Sequence, residues 1–66
     1  MMIQVNGEAF LFESGSTLTA LLDAYGVTGD RIAVTVNEEV IPRTRRDDET
    51  IQDGDQVEIL TFAGGG

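Results

Sequence analysis

Asp53-Gly54-Asp55 turns the chain into Gln56-Val57-Glu58-Ile59-Leu60-Thr61-Phe62, and Ala63-Gly64-Gly65-Gly66 follows at once. The opening triplet is turn chemistry, because Asp side chains bond nearby backbone N–H groups and glycine accepts positive φ. The seven residues after it are rich in β-branched and aromatic side chains, which fit a pleated surface. Side chains alternate between the two faces of a strand, so Val57 and Ile59 share one face and Glu58 takes the other. A carboxylate belongs on the solvent side, and the same parity places Leu60 and Phe62 there with it. The stretch predicts a final strand closing a body of residues 1–62, followed by a flexible tail, 63–66, with no side chain larger than a methyl.

Upstream, Leu18, Leu21, Leu22 and Tyr25 recur at i, i+3, i+4 and i+7, one face of an α-helix. Ser16-Thr17 offers hydroxyl caps before it and Gly26 a stop after it. The helix has about two to three turns and needs a sheet to pack on. Met2-Ile3-Gln4-Val5 and Phe10-Leu11-Phe12 flank Asn6-Gly7, the dipeptide of tight hairpins, with room for a bulge between Gly7 and Phe10. Ile32, Val34 and Val36 alternate with Ala33 and Thr35, and Asn37-Glu38-Glu39 leads to Val40-Ile41-Pro42 as a second hairpin. Pro42 has no N–H for a ladder, so the Val40 strand is short and lies at a sheet edge or a strand end. Arg43 to Thr50 is polar and reads as a surface loop anchored by Ile51. This order of elements gives an α+β fold of the β-grasp (ubiquitin-like) layout, a mixed sheet of about four or five strands covered on one face by one helix.

The chain of 66 residues suffices for one small core and leaves no room for an enclosed substrate cleft. Hydrophobic residues make up 41% against 24% charged, a balance that folds. Cys and His are absent, which removes disulfides, thiol nucleophiles, thiolate or imidazole metal sites and the usual general base. An independent enzyme is not expected. Twelve acidic residues against four basic ones give a net charge of −8, a field that repels phosphate backbones and argues against nucleic acid. Such a field favours encounter with a basic protein surface, and it also simply keeps a small domain soluble. The basic residues are all arginines, Arg31, Arg43, Arg45 and Arg46, so no lysine is present to receive an isopeptide bond. Met1-Met2-Ile3-Gln4 has neither a basic leader segment nor an apolar run, so no membrane association is expected and the cytoplasm is the default location.

Glycines at a chain end have a specific use. Gly64 and Gly65 let the end thread a narrow channel and bring the Gly66 carboxylate against a reactive phosphate, over a reach from Ala63 of at most ~13 Å. Attack on the α-phosphate of ATP gives an acyl-adenylate, which a persulfide displaces. A glycine run is also what a disordered end looks like; its place directly after the last strand of a β-grasp body sets this one apart. Glu58, Leu60 and Phe62 are the candidate partner-binding residues. Two arrangements fit Leu60 and Phe62, exposure for a partner or a contact with the 43–50 loop, and the exposure of Phe62 separates them. Asp47-Asp48-Glu49 reads as a solvated face rather than a metal site, and Asp53-Gly54-Asp55 lacks the rest of a calcium loop. Arg43, Arg45 and Arg46 are expected to be neutralised by neighbouring carboxylates. Tyr25 belongs to the core with its hydroxyl at the rim.

Val5-Asn6-Gly7-Glu8, Ser16-Thr17-Leu18 with Leu21-Leu22, Val36-Asn37 with Ile41-Pro42-Arg43, Gln52 through Ile59 and the terminal glycines follow in this order along essentially the whole chain. Together they resemble the ThiS family of sulfur carriers in thiazole synthesis. The resemblance implies that a ThiF-type enzyme adenylates Gly66 with ATP and that a cysteine desulfurase persulfide supplies sulfur for a C-terminal thiocarboxylate. It implies a ThiG-type thiazole synthase as the acceptor. The chain itself would bind no cofactor stably and would be a monomer when free. The family often has a tryptophan soon after the Pro-Arg pair, where this chain has Arg45 and Arg46. A MoaD-like carrier for molybdopterin is an alternative of the same build, although such chains are usually longer. Alternatives of another class are a ubiquitin-like binding module with an inert tail and a modifier attached to target lysines.

Overall fold

Asn6 and Gly7 both take positive φ, 53° and 82°, the left-handed pair that a two-residue hairpin turn requires. Strands β1 (Met2–Val5) and β2 (Glu8–Leu11) pair antiparallel around them with Val5 opposite Glu8. The register leaves no inserted residue, so the bulge for which the sequence left room is absent. The computed structural model describes residues 1–27 and 31–62.

The second hairpin joins β3 (Ile32–Val36) to β4 (Glu39–Val40), with Thr35 opposite Val40 and Val36 opposite Glu39. Its turn is Asn37-Glu38, at φ 51° and 71°, and Glu39 belongs to the strand rather than to the turn. Strand β4 has two residues and lies at the sheet edge, where a following proline does least damage to a ladder. Pro42 then caps a 3₁₀ turn, Arg43–Arg45.

Helix α1 (Leu18–Tyr25) begins at Thr17, whose hydroxyl accepts from the Ala20 N–H. Its first N–H groups all find acceptors: Leu18 donates to the Glu49 carbonyl, Thr19 to the Arg46 carbonyl and Leu21 to the Thr17 carbonyl. The segment after the 3₁₀ turn thus serves as the cap of α1, meeting a need that every helix start has. Gly26 ends the helix at φ 91°, its N–H donating to Leu22 and Asp23, the left-handed residue that stops a helix.

Strand β5 (Gln56–Thr61) completes a five-stranded sheet in the order β2-β1-β5-β3-β4. It runs parallel to β1 and antiparallel to β3. Alternation puts Ile3, Val5, Ile32, Val34, Val36, Val57 and Ile59 on one face, where Leu18, Leu21 and Leu22 of α1 cover them, and Ile41 and Ile51 close the core from the loops. Each fully buried aliphatic side chain contributes about 1.5–3 kcal/mol, so this layer supplies most of the driving force. Tyr25 meets Phe10 edge-on at 5.5 Å between ring centres, at the rim of the core. This is the β-grasp arrangement that the order of elements predicts. Among the described residues no helix is long and apolar enough to cross a membrane.

Candidate functional site

The two halves of β5 are held differently. At its start Gln4 lies beside Gln56 and Val5 beside Val57, and β3 flanks the other side from Val57 onward. Side chains of three turns tighten this root. Asp53 Oδ1 accepts from the Met2 N–H at 3.0 Å. Asp55 takes the Gln52 N–H at 2.8 Å through Oδ2 and Asn37 Nδ2 at 2.9 Å through Oδ1. Asn37 Oδ1 in turn accepts from the Gln56 N–H at 3.0 Å. Where β1 turns away at Asn6, the Asn6 side chain takes its place, accepting from the Ile59 N–H at 2.7 Å.

Beyond Ile59, among the described residues, only β3 accompanies the strand. Leu60 lies opposite Ala33 and Thr61 opposite Ile32, and the Phe62 N–H donates to the Arg31 carbonyl at 2.9 Å. Leu60 is 61% exposed and Phe62 59%. Of the two arrangements open to these side chains, exposure is therefore the one adopted, and neither is tucked under the 43–50 loop. Glu58 faces solvent on the same side, with the Thr35 hydroxyl 3.5 Å from its carboxylate. Val40 joins this face through its pairing with Thr35 and is also exposed. The parity of β4 carries that information only once its register is known.

Apolar side chains rimmed by carboxylates suit a partner surface that is apolar at its centre and basic around it. Glu58 and Glu38 border a shallow recess of about 260 Å³ on this face. A larger open groove, about 720 Å³, lies on the far side of the molecule between Phe12 and the Ala20-Ala24 flank of α1. Among the described residues no group of three or more His, Cys, Asp or Glu side chains could hold a metal ion; Asp47 is engaged by the Thr19 hydroxyl. Gly64, Gly65 and Gly66, the predicted threading and reacting residues, lie outside the described residues.

The polar segment after Pro42 departs from expectation at Arg46. Arg45 pairs with Glu49 at 3.6 Å on the surface, in the manner expected of all these arginines. Arg46 does not: it is only 9% exposed, and its Nη2 donates to the Ile32 carbonyl at 3.0 Å. A run of charged residues conceals such a burial because its cause is a distant backbone acceptor, not a neighbour in sequence.

Against this geometry, the ThiS family profile matches residues 2–66. A sulfur carrier protein ThiS of Thermus thermophilus is 37% identical, covering 98% of this chain and 100% of that one. A thiazole synthase of Paramagnetospirillum magneticum is 38% identical over all of this chain, which spans only 20% of the synthase's length. The crystal structure of a thiamine biosynthesis protein (ThiS) from Geobacter metallireducens superposes with a TM-score of 0.82 at 38% identity, covering 100% of both chains.

Proposed function

Because this chain belongs to the ThiS family, we propose that it is a sulfur carrier of thiamine biosynthesis that works through the carboxylate of Gly66. One observation carries the reading: a strand rooted on both sides at its start leads, past exposed Leu60 and Phe62, through Ala63 into a run of glycines. The body is a handle and the chain end is the reagent.

In the proposed cycle a ThiF-type enzyme docks on the face bearing Glu58, Leu60 and Phe62, and Gly64 and Gly65 admit the chain end to its active site. The Gly66 carboxylate attacks the α-phosphate of ATP, forming an acyl-adenylate and releasing pyrophosphate. The outer sulfur of a persulfide, raised by a cysteine desulfurase, attacks the acyl carbon and expels AMP. A thiol then cleaves the sulfur–sulfur bond, leaving the thiocarboxylate and a disulfide. None of these steps asks the chain for a general base or a nucleophilic side chain; it acts as a co-substrate rather than an enzyme. A ThiG-type thiazole synthase is the proposed acceptor. Support for it comes from the thiazole synthases that contain a stretch like this chain, since joining two reacting domains on one polypeptide raises their effective concentration.

The test is a mass spectrum after incubation with ATP, a ThiF-type enzyme and a sulfur source. A carrier exchanges one terminal oxygen for sulfur, and removal of Gly66 or Gly65→Val prevents the exchange. An unchanged mass with demonstrably active enzyme sinks the proposal, and an amide between Gly66 and a target lysine identifies a modifier instead.

A further inference from the structure

Arg46 spends a buried cation where a small domain can least easily carry one. The residue is 9% exposed, its Nε–H is buried without a hydrogen-bond partner among the described residues, and Nη2 donates to the Ile32 carbonyl. Desolvation opposes a guanidinium held this way, and the bond to the Ile32 carbonyl offsets part of that cost.

The register explains what the bond does. Pairing of Thr35 with Val40, and the Ile41 N–H donating to the Val34 carbonyl, set the outer edge of β3. Alternate carbonyls of β3 point to that edge, so the Ile32 carbonyl is the next in the ladder after Val34. Strand β4 ends at Val40 and the chain has left the sheet by Pro42, so among the described residues no backbone N–H continues the ladder there. Arg46 supplies the missing donor. Its own carbonyl accepts from the Thr19 N–H, so one residue ties the first turn of α1 to the start of β3.

That start is where the final strand leaves the body. Ile32 lies opposite Thr61, and the Phe62 N–H bonds the Arg31 carbonyl next door. We propose that Arg46 is a positioning residue for the carrier's chain end: by holding Ile32 it fixes Arg31, and through Arg31 the place and heading of Phe62, from which residues 63–66 continue. This rests on the carrier reading for its functional consequence but not for its structural one.

The two are tested separately on the full chain. Amide hydrogen exchange of Arg46→Met is expected to show Phe62 exchanging about tenfold faster while amides in α1 and β1 stay within about twofold. Arg46→Lys, which keeps a long cationic donor, restores slow exchange at Phe62. Arg46→Gln, too short to reach Ile32, gives the same reading as Arg46→Met and replaces it if that chain does not fold. With a ThiF-type enzyme and ATP, pyrophosphate release from Arg46→Met is expected to show kcat about tenfold lower and KM raised by no more than about threefold, because Glu58 and Leu60 of the docking face keep their places while the loosened Phe62 chiefly misdirects the carboxylate. Unchanged exchange at Phe62, or acceleration spread evenly over α1 and β1, overturns the assignment. So does a loss confined to KM. If the unaltered chain is not activated by competent enzyme, the carrier reading fails, and the exchange experiment still decides the role of Arg46.

Discussion

The first half of β5 and its last residues lie only a few positions apart, yet they are built on opposite plans. At Gln56 and Val57 the chain lies between β1 and β3, and side-chain clamps from Asn6, Asn37, Asp53 and Asp55 hold it from the preceding turn to Ile59. From Leu60 on, among the described residues, it has β3 alone, and its larger side chains face solvent. A uniform strand would do for a purely structural β-grasp domain. The contrast fits a molecule that must hold one end of a strand still while presenting the other to a partner.

The contrast breaks most visibly in the core. Ile59→Ala removes a 6% exposed side chain at the junction of the two halves, and is expected to lower unfolding free energy in urea by about 3 kcal/mol. A loss below about 1 kcal/mol would mean that β5 is less firmly rooted than its contacts indicate. Asn6→Ala is next. It removes the acceptor of the Ile59 N–H and puts alanine at φ 53°, so about 1–2 kcal/mol should be lost, read by the same titration. Asp55→Ala deletes two exposed bonds, to Gln52 and Asn37, for about 1 kcal/mol. Both substitutions should leave activation by a partner enzyme unaltered once the chain is folded, because they act on the root alone.

Much of this division is legible in the residues themselves. Parity along Val57-Glu58-Ile59-Leu60 places the buried and exposed faces of β5, and Thr17 and Gly26 mark the ends of α1 because caps are local chemistry. The Asn6-Gly7 turn is local too, and its register lacks only the bulge that was left open. What stays hidden is long-range. The Asn6 carboxamide reaches Ile59 across 53 positions, and Arg46 is buried because the shortness of β4 orphans a carbonyl of Ile32. Glu38 at φ 71° hides for a different reason: glutamate has no special preference for a left-handed turn, so nothing in its chemistry separates it from Glu39. The candidate face divides in the same way, Leu60 and Phe62 following from parity and Val40 only from the pairing of β3 with β4.

The smallest expected change in stability is the most informative. Leu60→Ser with Phe62→Ser removes two large apolar side chains that are 61% and 59% exposed. In a core such a pair of truncations would unfold a domain of this size; here the unfolding free energy should move by less than about 0.5 kcal/mol, as for ordinary surface positions. The same chain should bind a ThiF-type enzyme about tenfold more weakly, because exposed apolar anchors act when a partner desolvates them. Titration calorimetry beside the urea curve separates the two effects. Loss of stability with unchanged binding would return Leu60 and Phe62 to the fold and erase the difference between the two halves of β5. Loss of binding alone would show that the unrooted half is reserved for the partner.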